Sequence, residues 1–330
     1  MNLIDDYIDY IRGVRRYSER TSSIYEDVLN DYLAYVSREF PVTSDAGFAE
    51  AFNVPEIRGY VVHMLDDRNM SEKSVNLHLS SLSGFCRYLV KEGLLKSNPV
   101  RLVRKPKVEK RLPEYYRNDA LEEYFKYTAI YASQEYLDAF LSDPKADYSK
   151  DFYERRLARL IISMLYGTGL RRSELIGLKI EDVDFGRGKL KVVGKGNKMR
   201  EIPLVASLCE EILLYLKAVE AMAETERSLK EPLLVTYTGI PLYPTYVDRA
   251  VKKELGGAKG ITGRRSPHVL RHSIATELMN EGTDLNSIKE MLGHSSLATT
   301  QVYTHSSFAR LKNIYEQAHP RAKNGGKHGD

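Results

Sequence analysis

Only two cysteines occur in the 330 residues, Cys86 and Cys209, far apart and in no metal-binding or redox spacing. A disulfide framework is therefore not expected, and a reducing cytoplasm fits. The chain has no run of about 18 apolar residues, so nothing in it reads as a membrane span. Its first residues, MNLIDDYIDYIRGV, are acidic and amphipathic. They lack the basic start and apolar stretch of a secretory leader, so none is expected. Net charge is also small, +4 at neutral pH, too little to identify a partner by itself. No internal repeat is visible.

What the chain does have is ordinary globular composition, with 42% hydrophobic and 28% charged residues. Its length leads us to expect two domains, each able to bury a core without staples. Charge is unevenly spread. Residues 1–100 carry 11 Lys/Arg against 15 Asp/Glu, whereas residues 101–113 carry six basic residues and one acid. The second stretch could grip a polyanion or simply be a solvated linker.

The first hundred residues read as an all-helical unit of four helices. Leu3, Ile4, Tyr7, Ile8 and Ile11 recur at helical spacing. A second helix runs from about Thr21 to Phe40, with Ile24, Val28, Leu29, Tyr32, Leu33 and Val36 on one side. A third covers roughly Pro55 to Asp67. The fourth starts at a Ser71 hydroxyl cap and ends before Gly93. Ser97 to Pro113, with three prolines and alternating bases, reads as an extended connector. The expected divisions are thus a helical domain at 1–100, a basic linker at 101–113, a second domain at 114–322 and a disordered tail at 323–330.

The second domain reads as mixed α/β and mostly helical. Lys189 to Pro203 holds two strand-like runs around Gly194, Lys195, Gly196 and Asn197, the pattern of a β-hairpin. Helices are expected over Ser207–Glu226, Tyr246–Leu255, Val269–Glu281, Asp284–Leu292, Leu297–Tyr303 and Ser307–Ala318.

Four segments of this domain carry suggestive polar residues. G-T-G-L-R-R-S-E-L puts Arg171 at a turn into a helix, and the hairpin tip carries Lys195. S-P-H-V-L-R-H holds His268 and Arg271. L-G-H-S-S-L-A-T-T-Q-V-Y-T-H holds His294 and Tyr303. Taken singly, each has a bland reading as a surface, capping or core residue. His268 and His272 are four apart, but H-V-L-R-H lacks the glutamate that the hydrolytic zinc motif places after its first histidine. Together the residues match what a phosphodiester needs to be cut without metal. Arginine forks neutralise charge on the non-bridging oxygens. A proton donor serves the leaving oxygen, and a nucleophile stays bonded to phosphorus so that rejoining is possible.

The order Arg171, Lys195, His268, Arg271, His294, Tyr303 resembles the tyrosine recombinase (phage integrase) family. So do the words T-G-L-R-x-S-E-L, G-K-G-N-K, P-H-x-L-R-H and T-T-Q-x-Y-T-H. The likeness is greatest to Xer-type enzymes, which also favour the H-P-R-A of His319 to Ala322. The resemblance implies a SAM-like DNA-clasping N-terminal domain and a catalytic domain with a small antiparallel hairpin or sheet. It makes Tyr303 the nucleophile, forming a 3′-phosphotyrosine link and freeing a 5′-hydroxyl. Arg171 and Arg271 clamp the scissile phosphate, and Lys195 protonates the leaving 5′-oxygen. His268 and His294 bond the non-bridging oxygens, and Glu174 orients an arginine or histidine from behind. Arg104, Lys105, Lys107, Lys110, Arg111 and Lys198 are the expected DNA contacts.

The partners implied are duplex DNA carrying a recombination site, three further copies in a homotetramer on two such sites (alone or together with a related recombinase), and a DNA translocase as activator. No cofactor, metal or membrane is expected. Residues 131–153 form a longer stretch than in short Xer enzymes. Chromosome-dimer resolution, mobile-element integration, type IB topoisomerase activity and non-catalytic DNA-binding regulation are the roles to be separated.

Overall fold

The computed structural model describes residues 3–38, 42, 44–109, 114–144, 146, 148–194, 198–223 and 226–293. The chain forms two compact units, Met1–Arg111 and Leu112–Asp330. No described helix is long and apolar enough to cross a membrane.

In the first unit, α1 (Leu3–Gly13) buries Leu3, Ile4, Tyr7, Ile8 and Ile11, the residues its periodicity singles out. Helix α2 (Glu19–Val36) starts where Ser18 accepts the Thr21 N–H. Helices α3 (Asp45–Glu50), α4 (Val54–Val62) and α5 (Glu72–Lys91) complete the set, with a π-turn at His63–Asp67 between the last two. The sequence reading has four helices here; the structure has five among the described residues. The extra one, α3, is six residues long, too short for a periodicity to show. Its Ser44 hydroxyl caps it, and Phe48 and Phe52 are buried beneath it. Aromatic edges join the layers: Tyr7 meets Phe85 with ring centroids 5.1 Å apart, and Tyr32 meets Tyr60 at 5.0 Å.

The start of the stretch read as an extended connector is instead folded. Pro99–Leu102 makes a 3₁₀ turn, Asn98 donates to the Ser83 carbonyl, and Val100 and Val103 lie in the first unit's core. Beyond them Arg104, Lys105 and Lys107 are exposed, and the backbone is held where Asn76 donates to the Pro106 carbonyl.

The second unit is built on α8 (Ser149–Thr168), whose length from Arg159 to Thr168 is buried. Each fully buried Leu or Ile there contributes about 1.5–3 kcal/mol of apolar burial. Around α8 lie α6 (Asn118–Tyr127), α7 (Gln134–Leu141), α9 (Arg172–Gly177), α10 (Ala206–Ala223), α11 (Pro244–Glu254), α12 (Pro267–Asn280) and α13 (Leu285–Leu292). Inside this core Arg159 donates to Glu211 at 2.7 Å, a fully buried ion pair between α8 and α10. Three short strands, β1 (Val183–Asp184), β2 (Lys189–Val193) and β3 (Met199–Pro203), form an antiparallel sheet in the order β1-β2-β3. Leu190, Val192 and Ile202 supply its buried face.

The long stretch at 131–153 belongs to this core. Leu137 and Phe140 of α7 are buried, Arg156 donates to the Ser133 carbonyl, and the Tyr153 hydroxyl donates to the Val235 carbonyl. The helix expected at Leu297–Tyr303, the one at Ser307–Ala318 and the tail lie outside the described residues.

Candidate active site

Helix α8 stops at Gly169, which adopts φ +61°. A side chain there would meet Leu292 within 2.5 Å, so both the turn and the close approach of α13 require glycine. Two residues later Arg171 sits at the start of α9. Glu174, three positions on, reaches back to accept the Arg171 backbone N–H at 2.8 Å, the capping geometry of a third-position glutamate.

That carboxylate is buried and is the centre of the site. One oxygen accepts Arg171 Nη1 at 2.7 Å. Arg200 of β3 forks onto both oxygens, at 3.0 and 2.8 Å. Arg271 of α12 comes within 3.9 Å. Burial alone would raise the Glu174 carboxyl, but the Arg200 fork, the Arg171 N–H and the surrounding guanidiniums outweigh it and hold the group below the usual range.

The same three arginines take the last carbonyls of α13. Arg200 Nε donates to Met291 and Arg171 Nη2 to Gly293, both at 2.9 Å, while Arg271 donates to Leu292. These are carbonyls a helix end leaves without partners, at the negative pole of its dipole. Arg271 also donates to the Gly169 carbonyl at 2.6 Å. Burial, helped by the charges of Arg171 and Arg200, pushes the Arg271 guanidinium down to about 10, against the pull of Glu174. It is still charged at neutral pH. Three guanidiniums face one carboxylate, so the cluster holds positive charge in excess inside a partly dry site. An anion with paired oxygens, such as a phosphodiester, complements it.

His268 is the second residue of α12 and Arg271 lies three further on, so both occupy one side of its first turns. His268 is exposed. It borders a cleft of about 350 Å³ whose wall includes Arg172, Lys252, Arg264 and Arg265, with Asp248 paired to Arg172.

Residues 144–310 match the phage integrase family, and residues 4–93 match the N-terminal SAM-like domain of phage integrases. The chain belongs to the phage integrase family. It is a tyrosine recombinase, an enzyme that cleaves and rejoins DNA. The tyrosine recombinase XerC of Chlorobaculum parvum is 34% identical over 328 residues, covering 97% of this chain and 94% of that protein. XerC of Listeria innocua is 32% identical over 317 residues, 96% of this chain and 97% of the relative. XerH site-specific recombinase bound to difH substrate superposes with a TM-score of 0.61 at 20% identity, over 99% of this chain and 85% of that one. The Tn1549 transposon integrase in complex with transposon right-end DNA reaches 0.59 at 20% identity, over 94% and 98%. These two likenesses bear on the fold.

In this recombinase, the structure brings Arg171, Glu174 and Arg271 together and sets His268 on the helix of Arg271. Lys195, His294, Tyr303, Lys110 and Arg111 lie outside the described residues. Of the other expected DNA contacts, Arg104, Lys105, Lys107 and Lys198 are all exposed. Reading the sequence misses Arg200, and it misses Lys252 and Arg264 beside His268. A signal for Arg200 exists: in M-R-E-I-P it stands two residues before Ile202, hence on the inward side of the strand. An arginine there must find a partner.

Proposed function

We propose that this tyrosine recombinase is a Xer-type site-specific enzyme that exchanges strands between two DNA sites. The Tyr303 hydroxyl attacks the scissile phosphorus and the bond to the 5′-oxygen breaks. The 3′-phosphate stays on the tyrosine, and Lys195 protonates the departing oxygen. Arg171 and Arg271 clamp the non-bridging oxygens as charge builds on them. His268 bonds one of these oxygens and assists the tyrosine proton, and His294 donates to the other. In the return step a 5′-hydroxyl from the partner site attacks the phosphotyrosine, which regenerates Tyr303 and seals the new junction. The energy of the phosphodiester is kept throughout, so no nucleotide is consumed.

The observation that carries this reading is the meeting of Arg171 and Arg271, a hundred positions apart in the chain, around one buried carboxylate with positive charge to spare. We place the enzyme in the cytoplasm, acting as four protomers on two sites, alone or with a related recombinase. A DNA translocase is the proposed activator, and resolution of chromosome dimers before division is the proposed role. Arg104, Lys105, Lys107, Lys110, Arg111 and Lys198 contact phosphates.

A duplex nicked beside the cleavage point tests the chemistry. The wild type is expected to become covalently attached to it, and Tyr303→Phe to bind it without attachment. Attachment that survives Tyr303→Phe removes the assignment. Joint formation between two sites separates strand exchange from the simple relaxation of a type IB topoisomerase. Sequencing those joints in the native genome separates dimer resolution from element mobility.

A further inference from the structure

Arg200 belongs to no catalytic group named above, yet it touches the mounting of most of them. It is the second residue of β3 and pairs in register with Val192. Its side chain is 9% exposed. Its guanidinium forks onto Glu174 at 3.0 and 2.8 Å, and its Nε donates to Met291 near the end of α13 at 2.9 Å. One arginine therefore joins the hairpin, the first turn of α9 and the last turn of α13.

Two glycines close over this junction. A Cβ at Gly293 would stand 2.9 Å from Arg200 Nη1 and 3.1 Å from its Cζ. A Cβ at Gly194 would stand 3.5 Å from Nη1 and 3.6 Å from Glu174 Oε1. Lys195 follows Gly194 in the chain, and His294 follows Gly293. The carboxylate that Arg200 grips is the one that holds Arg171 Nη1 at 2.7 Å and approaches Arg271 to 3.9 Å. Arg200 turns both ends of its fork to Glu174 and its Nε to Met291, so it acts through neighbours and not as a ligand of the phosphate.

We propose that Arg200 is a positioning residue for strand cleavage, which holds Glu174 and the end of α13 so that Arg171 presents its fork to the phosphate. Without it, Glu174 loses two charge-assisted bonds and is free to swing further onto Arg171 or Arg271. The Met291 carbonyl also loses its donor. This rests on the recombinase reading above.

The test is single-turnover cleavage of the nicked duplex at saturating protein, per folded molecule, alongside the affinity for the same duplex. Arg200→Ala is expected to slow cleavage about 100-fold, the scale of a small misplacement of reacting groups, with affinity within about threefold. Arg200→Lys retains charge but cannot span both acceptors, and about a tenfold loss is expected. In a Glu174→Gln background the cost of Arg200→Ala should shrink to about threefold, because both changes act on one contact. Loss of folded protein alone would not change the rate per folded molecule.

The proposal fails if Arg200→Ala cleaves within threefold of wild type. If Arg200→Ala does not fold, the same outcome in Arg200→Lys decides. It also fails if the two substitutions multiply independently, or if affinity falls and the saturated rate does not. A wild type that never attaches to the duplex removes the recombinase reading and this one with it. An attaching wild type with an indifferent Arg200 removes this one alone.

Discussion

Arg171 Nη2 donates to the Gly293 carbonyl at 2.9 Å across a chain separation of 122 residues. This bond fastens the turn after α8 to the residue that precedes His294. The guanidinium proposed to clamp the phosphate is thereby held against the backbone before any DNA arrives. Preorganisation of this kind spares the enzyme reorganisation at the moment charge develops.

Arg271→Lys should separate clamping from charge. The native guanidinium serves the Gly169 and Leu292 carbonyls and stands near Glu174. A lysine ammonium cannot hold these and a phosphate oxygen together. Single-turnover cleavage is expected to fall about 10²–10³-fold, with duplex affinity changed only a few-fold. A near-wild-type rate would take Arg271 out of the clamp.

Glu174→Gln should cost more at neutral pH than in acid. The Glu174 carboxyl lies below its ordinary 4.5 in the folded chain. Its contribution to stability is therefore fully present above about pH 4.5 and disappears as the pH falls through the lower folded value. At pH 7 the variant should lose about 3 kcal/mol, the scale for breaking a buried ion pair. Urea midpoints measured from pH 7 to pH 3 should show wild type and variant converging. A constant gap across that range would contradict the ion-pair account.

Gly293→Ala probes the end of α13 directly. Gly293 adopts φ +66°, and an added Cβ would press on Arg200 Nη1 at 2.9 Å. The left-handed backbone costs an alanine about 1–2 kcal/mol, visible as a lower melting temperature. Displacement of the guanidinium should also slow cleavage per folded molecule. An unchanged rate beside a lowered melting temperature would show that the site tolerates movement here.

Replacing Arg104, Lys105 and Lys107 by glutamine tests the basic segment. These side chains are exposed beyond the folded 3₁₀ turn. Removing one cation from a phosphate should lower the slope of log affinity against log salt by about 0.9, so by roughly 2.7 for three. An unaltered slope would mean that they are merely solvated.

Much of this was legible in residues alone. The helices of the first unit show their buried stripes openly, as in α1, and the hairpin is announced by Gly194 to Asn197 between strand-like runs. The proposed catalytic order was drawn from diagnostic neighbours, namely the turn before Arg171, the H-x-x-R step and Gly293, and of its members the structure brings Arg171 and Arg271 to one carboxylate. What escaped was short or nonlocal. Six residues of α3 show no period. The segment at 131–153 read as an extra length of chain, yet Leu137, Phe140 and Tyr153 are buried in the second core. Val100 and Val103, among prolines and bases, looked like linker but are buried in the first.

The amino-acid sequence by itself determined which chemistry is available, since residue type and local spacing decide which groups can bind phosphate, give a proton or attack. It could not say which guanidinium meets which acceptor. In the chain Glu174 has only Arg171 and Arg172 just before it. Only the tertiary packing of α9, β3, α12 and α13 places Arg200 and Arg271 beside that carboxylate and hands each arginine one of three successive carbonyls. A buried charge must be neutralised by whatever the fold brings near, and proximity across a hundred residues is set by how helices pack.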